Sequence, residues 1–282
     1  MTELTGIVPV LEESIYHAHD SLSSTGARRL LESPAKFRYA MDHPQPHKKA
    51  FDLGSAAHSK VLGTGYGVAV IPADILASNG ATSTKAAKEF IADAYSQSLI
   101  PIKQAEFDEV TEMSEAVLRH PTARALLERP GQAEASVFAT DPDTGVKLRA
   151  RFDFLPDAND GRRVTVDLKT TGKEASKAGF AKSAASFEYE VQEGHYEHTL
   201  SLATGEEDPA MVFVVVETTA PYLVAVHQLD RDFREMGAAK AKRAREMYRA
   251  CTDSGIWPGY PEGIGLLPPP VWAVYEFQDN YS

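Results

Sequence analysis

Residues 210–219 read AMVFVVVETT, opening with seven consecutive apolar side chains. A valine-rich run without polar alternation describes a strand buried on both faces. Such a strand must lie inside a sheet that is covered on each side, so the rest of the chain has to provide two outer layers. A second β-branched run, VTVDLKTT at 164–171, ends on Asp167 and Lys169. Two positions apart on a strand, these two side chains point the same way.

The order of periodicities supplies the layers. LSSTGARRLLESPAKFRYAM (22–41) reads as a capped helix, with Ser23 or Ser24 as N-cap and Pro34 breaking or restarting it. FDLGSAAHSKVLG (51–63) reads as a short helix between glycines. STKAAKEFIADAYSQS and QAEFDEVTEMSEAVLRH carry apolar residues at helical spacing, separated by LIPI, and PTARALLE adds a turn or two. The pattern then changes to period two. EASVFAT meets the turn cluster DPDTG and continues as VKLRARFDFLP, in which Val146, Leu148, Ala150, Phe152 and Phe154 are expected on one face. Lys147, Arg149, Arg151 and Asp153 fall on the other. After DANDGRR comes VTVDLKTT, making three strands of an antiparallel meander. FAKSAASFEYEVQEGHYEHTLSLATG reads as one helix ending at Gly205, AMVFVVVETT and YLVAVHQL as two strands, and 231–249 as a basic helix. The expectation is an α/β sandwich around a mixed β-sheet flanked by helices. It forms a single domain over 1–282, with a helical N-terminal region (about 1–130), a sheet core (about 131–250) and a Pro/Gly-rich tail (251–282).

Composition excludes several classes of function. Lone Cys251 rules out an internal disulfide framework and four-cysteine zinc or iron–sulfur sites. No apolar stretch would span a bilayer, and MTELTGIVPVLEES has no secretory character, so a cytoplasmic setting is expected. The net charge of −11 is awkward for a nucleic-acid partner, but binding follows the local field. From Arg231 to Arg249 there are seven Lys/Arg against three Asp/Glu, and RRLLESPAKFRYAMDHPQPHKK is also basic. Taken alone, either stretch is an ordinary solvated face.

Asp153 and Asp167 project from neighbouring strands, with Lys169 beside the second. Two converging carboxylates repel unless a cation separates them, and oxygen ligands suit Mg²⁺ or Mn²⁺. Such an ion acidifies water and stabilises phosphoryl charge, while an adjacent lysine orients or deprotonates that water. An isolated D-x-K is more often an exposed ion pair worth under about 1 kcal/mol. The surrounding set shifts that balance: Gly54-x-x-x-His58, Glu134 at a strand start, and Gln192-x-x-x-Tyr196 on one helix face. The neighbouring His195 and His198, on other faces of the same helix, carry no such signal.

The order G-x-x-x-H, E, D, D-x-K, Q-x-x-x-Y resembles the RecB-like branch of the PD-(D/E)xK nucleases, and within it the RecE-type (exodeoxyribonuclease VIII-like) exonucleases. LSSTGARRLLESPAKFRYA, KKAFDLGSAAHSKVLG, DLKTTGKEAS, YEVQEGHYEHTL and IWPGYPEG are each similar to blocks of that group. The resemblance implies a restriction-endonuclease-like core and metal ligation by Asp153, Asp167 and the backbone carbonyl of Leu168. It implies that Lys169 handles the nucleophilic water, that His58 serves a second metal position, and that Gln192 and Tyr196 position the scissile phosphate or Lys169. Glu134 is the weakest transfer. Phe152 stands where the family's nominal proline does, and the D-x-K acid is aspartate; both are accepted variants. The cofactor implied is Mg²⁺, replaceable by Mn²⁺, as two ions and with no iron–sulfur cluster. The implied activity is 5′→3′ resection of linear double-stranded DNA, by a homo-oligomeric ring that hands a 3′ single strand to a RecT-like annealing protein. Arg149, Arg151, Lys173, Lys177, Lys182, Lys240, Lys242 and Arg243 are the candidates for contacting DNA phosphates. A restriction-like or structure-specific endonuclease, and a non-catalytic DNA-binding subunit, are the alternatives on the same core.

Overall fold

A computed structural model describes residues 4–43, 53–64, 67–97, 99–159 and 161–281. Its centre is a six-stranded sheet in the order β1 (Gly6–Val8), β4 (Gly131–Thr140), β5 (Lys147–Pro156), β6 (Val164–Thr171), β7 (Ala210–Glu217), β8 (Val224–His227). Neighbours run antiparallel except β6 and β7, which pair in parallel from Val164 opposite Ala210 to Thr171 opposite Glu217. The expected meander is therefore present as β4–β5–β6. Two short strands, β2 (Gly67–Val70) and β3 (Leu99–Ile102), form a separate parallel pair where LIPI gave no strand signal.

The apolar run of β7 behaves as its composition requires. Met211, Phe213 and Val215 face one core while Val214 and Val216 face another. On the second side lie α4 (Leu53–Leu62), α6 (Gln104–Arg119) and α7 (Pro121–Leu127). Val110, Met113 and Val117 of α6 recur at helical spacing and are fully buried there, each worth about 1.5–3 kcal/mol of apolar transfer. On the first side lie α8 (Lys177–Phe187) and α9 (Tyr189–Thr204), the connection that the parallel β6–β7 pair needs. The expected single helix over this segment is two helices. Glu188 sits between them in the left-handed region (φ 54°, ψ 48°), a break that no glycine or proline announces.

A third layer covers α9. Helices α2 (Ser24–Glu32), α3 (Pro34–Asp42) and α10 (Arg231–Ser254) enclose Leu30, Phe37, Leu148, Val191 and Ala244. Ser23 caps α2 through Gly26 N–H, and Ser33 caps α3 through Lys36 N–H with Pro34 in its first turn. The IWPGYPEG block is a tether: Trp257 stacks on Phe37, and Pro258 C=O accepts from Ala35 N–H. Beyond it α11 (Val271–Tyr281) buries no residue. The remaining helical pieces, α1 (Glu13–Ala18), α5 (Lys85–Ser96) and a short 3₁₀ turn at Ala73–Ile75, lie towards the N-terminal half.

Helices α9 and α10 touch backbone to backbone. A Cβ on Gly237 would lie 2.0 Å from Glu190 O, and one on Gly194 would lie 2.6 Å from Gly237 C. Glycine is needed here for proximity, because both neighbours are main chain and cannot rotate away. Gly237→Ala should therefore lower the unfolding free energy by roughly 2–3 kcal/mol, read as an earlier urea midpoint. An equal change at exposed Gly263 should be near neutral.

Candidate active site

The site is built where β5 and β6 part. Their ladder holds at Phe154 opposite Val166. One residue earlier on β5, the Asp153 carboxylate takes over and accepts a hydrogen bond from Leu168 N–H at 2.7 Å. The same point disturbs the other neighbour of β5. Ala135 pairs with Phe152 and Ala133 with Phe154, while Glu134 between them has φ 54°. Phe152 belongs to the core under α9, whereas Phe154 belongs to the opposite core and Leu155 returns to the first. Alternation has slipped by one on both strands together, so register survives on either side. The expectation that Phe154 shares a face with Phe152 is corrected accordingly.

The slip presents Glu134 and Asp153 to α4. A ligand atom from each, and one from His58, lie within 4.8 Å of one another, with His58 Nδ1 3.5 Å from Asp153 Oδ2. Burial pushes the Glu134 carboxyl up to about 7, with Asp153 adding to the shift. Burial likewise raises Asp153 to about 6; His58 opposes the shift and Asp167 reinforces it. Two half-buried carboxylates that resist ionisation, converging with one imidazole, are a donor set that a hard divalent cation fits.

Beside this set, from β6, Asp167 and Lys169 make an ion pair of 2.5 Å. Gln192 of α9 spans both: its Nε2 donates to Asp167 Oδ1 at 2.6 Å, and its Oε1 accepts from Lys169 Nζ at 3.2 Å. Lys169 Nζ also lies 4.8 Å over the ring of Tyr189. Burial would lower the Lys169 pKa, but the carboxylates of Asp167 and Asp153 outweigh it and the pKa is raised. The same electrostatics joins the two halves, because both Asp167 and Lys169 shift Asp153 across the gap.

The other residues singled out from the sequence take the following positions. Tyr196 does not reach Lys169; it packs edge-on against Phe152 at 5.0 Å, and burial drives its pKa far up. Leu168 contributes its amide to Asp153, and its side chain is core. Arg149 is no DNA contact: it is buried and donates to the carbonyls of His19 and Ser21. Arg151 is committed to Ser136 Oγ and Leu11 C=O, with its guanidinium 4.3 Å over Tyr16. Lys240 is held by Glu188 and Glu190. Lys173, Lys177, Lys182, Lys242 and Arg243 are exposed. Lys48 and Lys49 of the early basic stretch lie outside the described residues. His195 and His198 serve the fold: His195 is buried against Arg149 C=O, and His198 bonds Asp141. Tyr189 was not singled out from the sequence, although it stands three residues before Gln192.

With this geometry in view, comparison with known proteins places the chain. Residues 23–267 match a family described as a PDDEXK-like domain of unknown function (DUF3799). The chain belongs to that family. Among solved structures, the crystal structure of a candidate exonuclease from Eubacterium rectale superposes with a TM-score of 0.58 at 11% identity, covering 94% of this chain and 98% of the other. A second, the protein SSO0001, gives 0.37 at 13% identity over 83% and 81%, too low a likeness to carry weight. No curated protein matches. The fold is thus the PD-(D/E)xK core: a mixed sheet flanked by helices, extended at its N-terminal side by further helices. Among the described residues no helix is long and apolar enough to cross a membrane.

The raised carboxyls carry a stability signature. Unfolded Asp and Glu release their protons near about 4, whereas folded Asp153 and Glu134 keep theirs to about 6 and about 7. Their contribution is full below the unfolded values and is lost as pH rises through the folded ones. In chelator-treated protein the thermal midpoint should fall as pH rises from about 4 to about 7. Asp153→Asn should flatten that fall.

Proposed function

We propose that this protein is a divalent-metal-dependent DNA exonuclease of the RecE type, working on linear duplex ends in the 5′→3′ direction. The observation that carries the reading is the meeting of His58, Glu134 and Asp153 with the Asp167–Lys169–Gln192 set across the β5–β6 gap. Membership of a PDDEXK-like family supports a nuclease, and so does a fold shared with a candidate exonuclease. The ordered sequence motifs support the finer assignment.

In this reading His58, Glu134, Asp153 and Asp167 hold the metal, Mg²⁺ or Mn²⁺, with the Leu168 carbonyl as a further ligand. When bound, the cation stabilises charge on the phosphoryl oxygens and acidifies a water. The residues do the rest. Lys169, kept an ammonium by its carboxylate neighbours, donates from Nζ to orient the attacking water rather than remove its proton. Gln192 fixes the rotamers of Asp167 and Lys169 with one amide. The near-complete burial of Asp167, at 3% exposure, strengthens its charge interactions. Lys173, Lys177 and Lys182, which follow β6 in the chain, are the phosphate contacts. The work is cytoplasmic, a homo-oligomeric ring encircles the duplex, and the 3′ strand passes to an annealing protein.

A time course with Mg²⁺ on linear duplex labelled at each 5′ and 3′ terminus in turn, beside covalently closed circles, tests this. Circles should survive, and 5′ label should be released first. Cleaved circles would establish an endonuclease instead. Lys169→Ala should lower kcat by about 10²–10³-fold while the Kd for duplex ends stays within about threefold; digestion at the parent rate would refute the role of Lys169. His58→Ala should raise the Mn²⁺ concentration needed for half-maximal activity by about tenfold, measured by manganese titration.

A further inference from the structure

The break between α8 and α9 does something that a continuous helix could not. Residues two apart on a helix point about 200° away from each other, so Phe187 and Tyr189 would face opposite ways. With Glu188 in the left-handed region, their rings stack instead, at 5.7 Å between centroids and 24° between planes. That conformation is costly for glutamate, and it is anchored: Lys240 pairs with the Glu188 carboxylate at 3.3 Å, and Val191 N–H donates to Glu188 C=O. The product is a column of π faces. Tyr189 stacks inward on Phe180 and Phe213, carries Lys169 Nζ over its ring, and meets Phe187 on its outer side. Phe187 ends the column with 54% of its surface exposed. Beside it Arg28 donates to Phe187 C=O at 2.7 Å, which keeps a cation at the column's mouth.

We infer that Phe187 is a nucleobase-stacking platform for the DNA strand being cut, a reading that rests on the nuclease function proposed above. For a phosphodiester to reach Lys169, its nucleotide must leave the regular duplex, and the neighbouring base loses a stacking partner. An exposed aromatic ring one stack away from the lysine supplies a replacement face without regard to sequence, and the adjacent guanidinium suits the accompanying phosphate. On a protein of net charge −11, a local pairing of π face and cation is where a polyanion with unpaired bases gains most.

The test crosses the ring with the base. Binding to a duplex with a short 5′ or 3′ overhang is measured by fluorescence anisotropy in calcium, with the overhang either normal or abasic. The parent protein should prefer the normal overhang of one polarity by about tenfold. Phe187→Ala and Phe187→Leu should both lose that preference, and Phe187→Trp should keep it. Leucine retains the apolar bulk, so it stands in should the alanine variant fold poorly. A leucine variant that still discriminates, or a parent that never does while digesting linear DNA, would overturn the platform and leave the nuclease intact. A parent that neither binds nor digests DNA would instead remove the underlying function.

Discussion

A carboxylate accepting a hydrogen bond from a neighbouring strand's amide, Asp153 to Leu168, governs this molecule. Adjacent strands normally spend their N–H and C=O groups on each other, and a buried amide left without a partner is expensive. Here the ladder between β5 and β6 is held at Phe154 opposite Val166, and a side chain takes over beyond it. The sheet opens at its centre without orphaning Leu168, and Glu134 and Asp153 from neighbouring strands converge with His58, close enough to the Asp167–Lys169 pair to feel its charges. The cost is visible in their protonation: Asp153 and Glu134 are both held above the usual carboxylate range by burial. A structural ion pair would show the opposite shift. Carboxylates poised against ionisation gain most from a cation.

The second requirement is rigidity in α9, which carries Gln192 and Tyr189. Its buried residues lie on every side, including Glu190, Gln192, Glu193 and His195, because the helix is clasped between the sheet and α10. Glycines at the crossing bring the two backbones into contact. Lys240 reaches back from α10 to Glu188 and Glu190 at the start of α9. The basic helix that looked like a DNA surface is thus partly an internal brace. Only its outer residues, such as Lys242 and Arg243, remain exposed.

Much of this was legible because it depends on local signals. Ser23, Pro34 and Gly205 mark helix ends by capping and backbone chemistry, and the unbroken apolar run of β7 required cover on both faces. The order of motifs in the chain named the residues that surround the β5–β6 gap. What stayed hidden depends on non-local partners. Strands β1, β2 and β3 are three or four residues long and owe their existence to distant neighbours. Glu134 and Glu188 adopt backbone conformations that glutamate rarely takes, so nothing in their identity announced the slip or the break. Tyr196 shares a helix face with Gln192, yet a ring at that position fills the core against Phe152 before it can reach the lysine.

The buried guanidinium of Arg149 has a consequence for how such a protein would be dissected. It is a strut: its donors satisfy the carbonyls of His19 and Ser21, and Leu22 pairs through its own backbone with Lys147 and Arg149. The segment before α2 is thereby riveted to the strand that bears Asp153. Neutralising basic residues one at a time and ranking them by lost activity would score Arg149 among the strongest hits. The loss would report a loosened scaffold four residues upstream of the acid, with no phosphate involved.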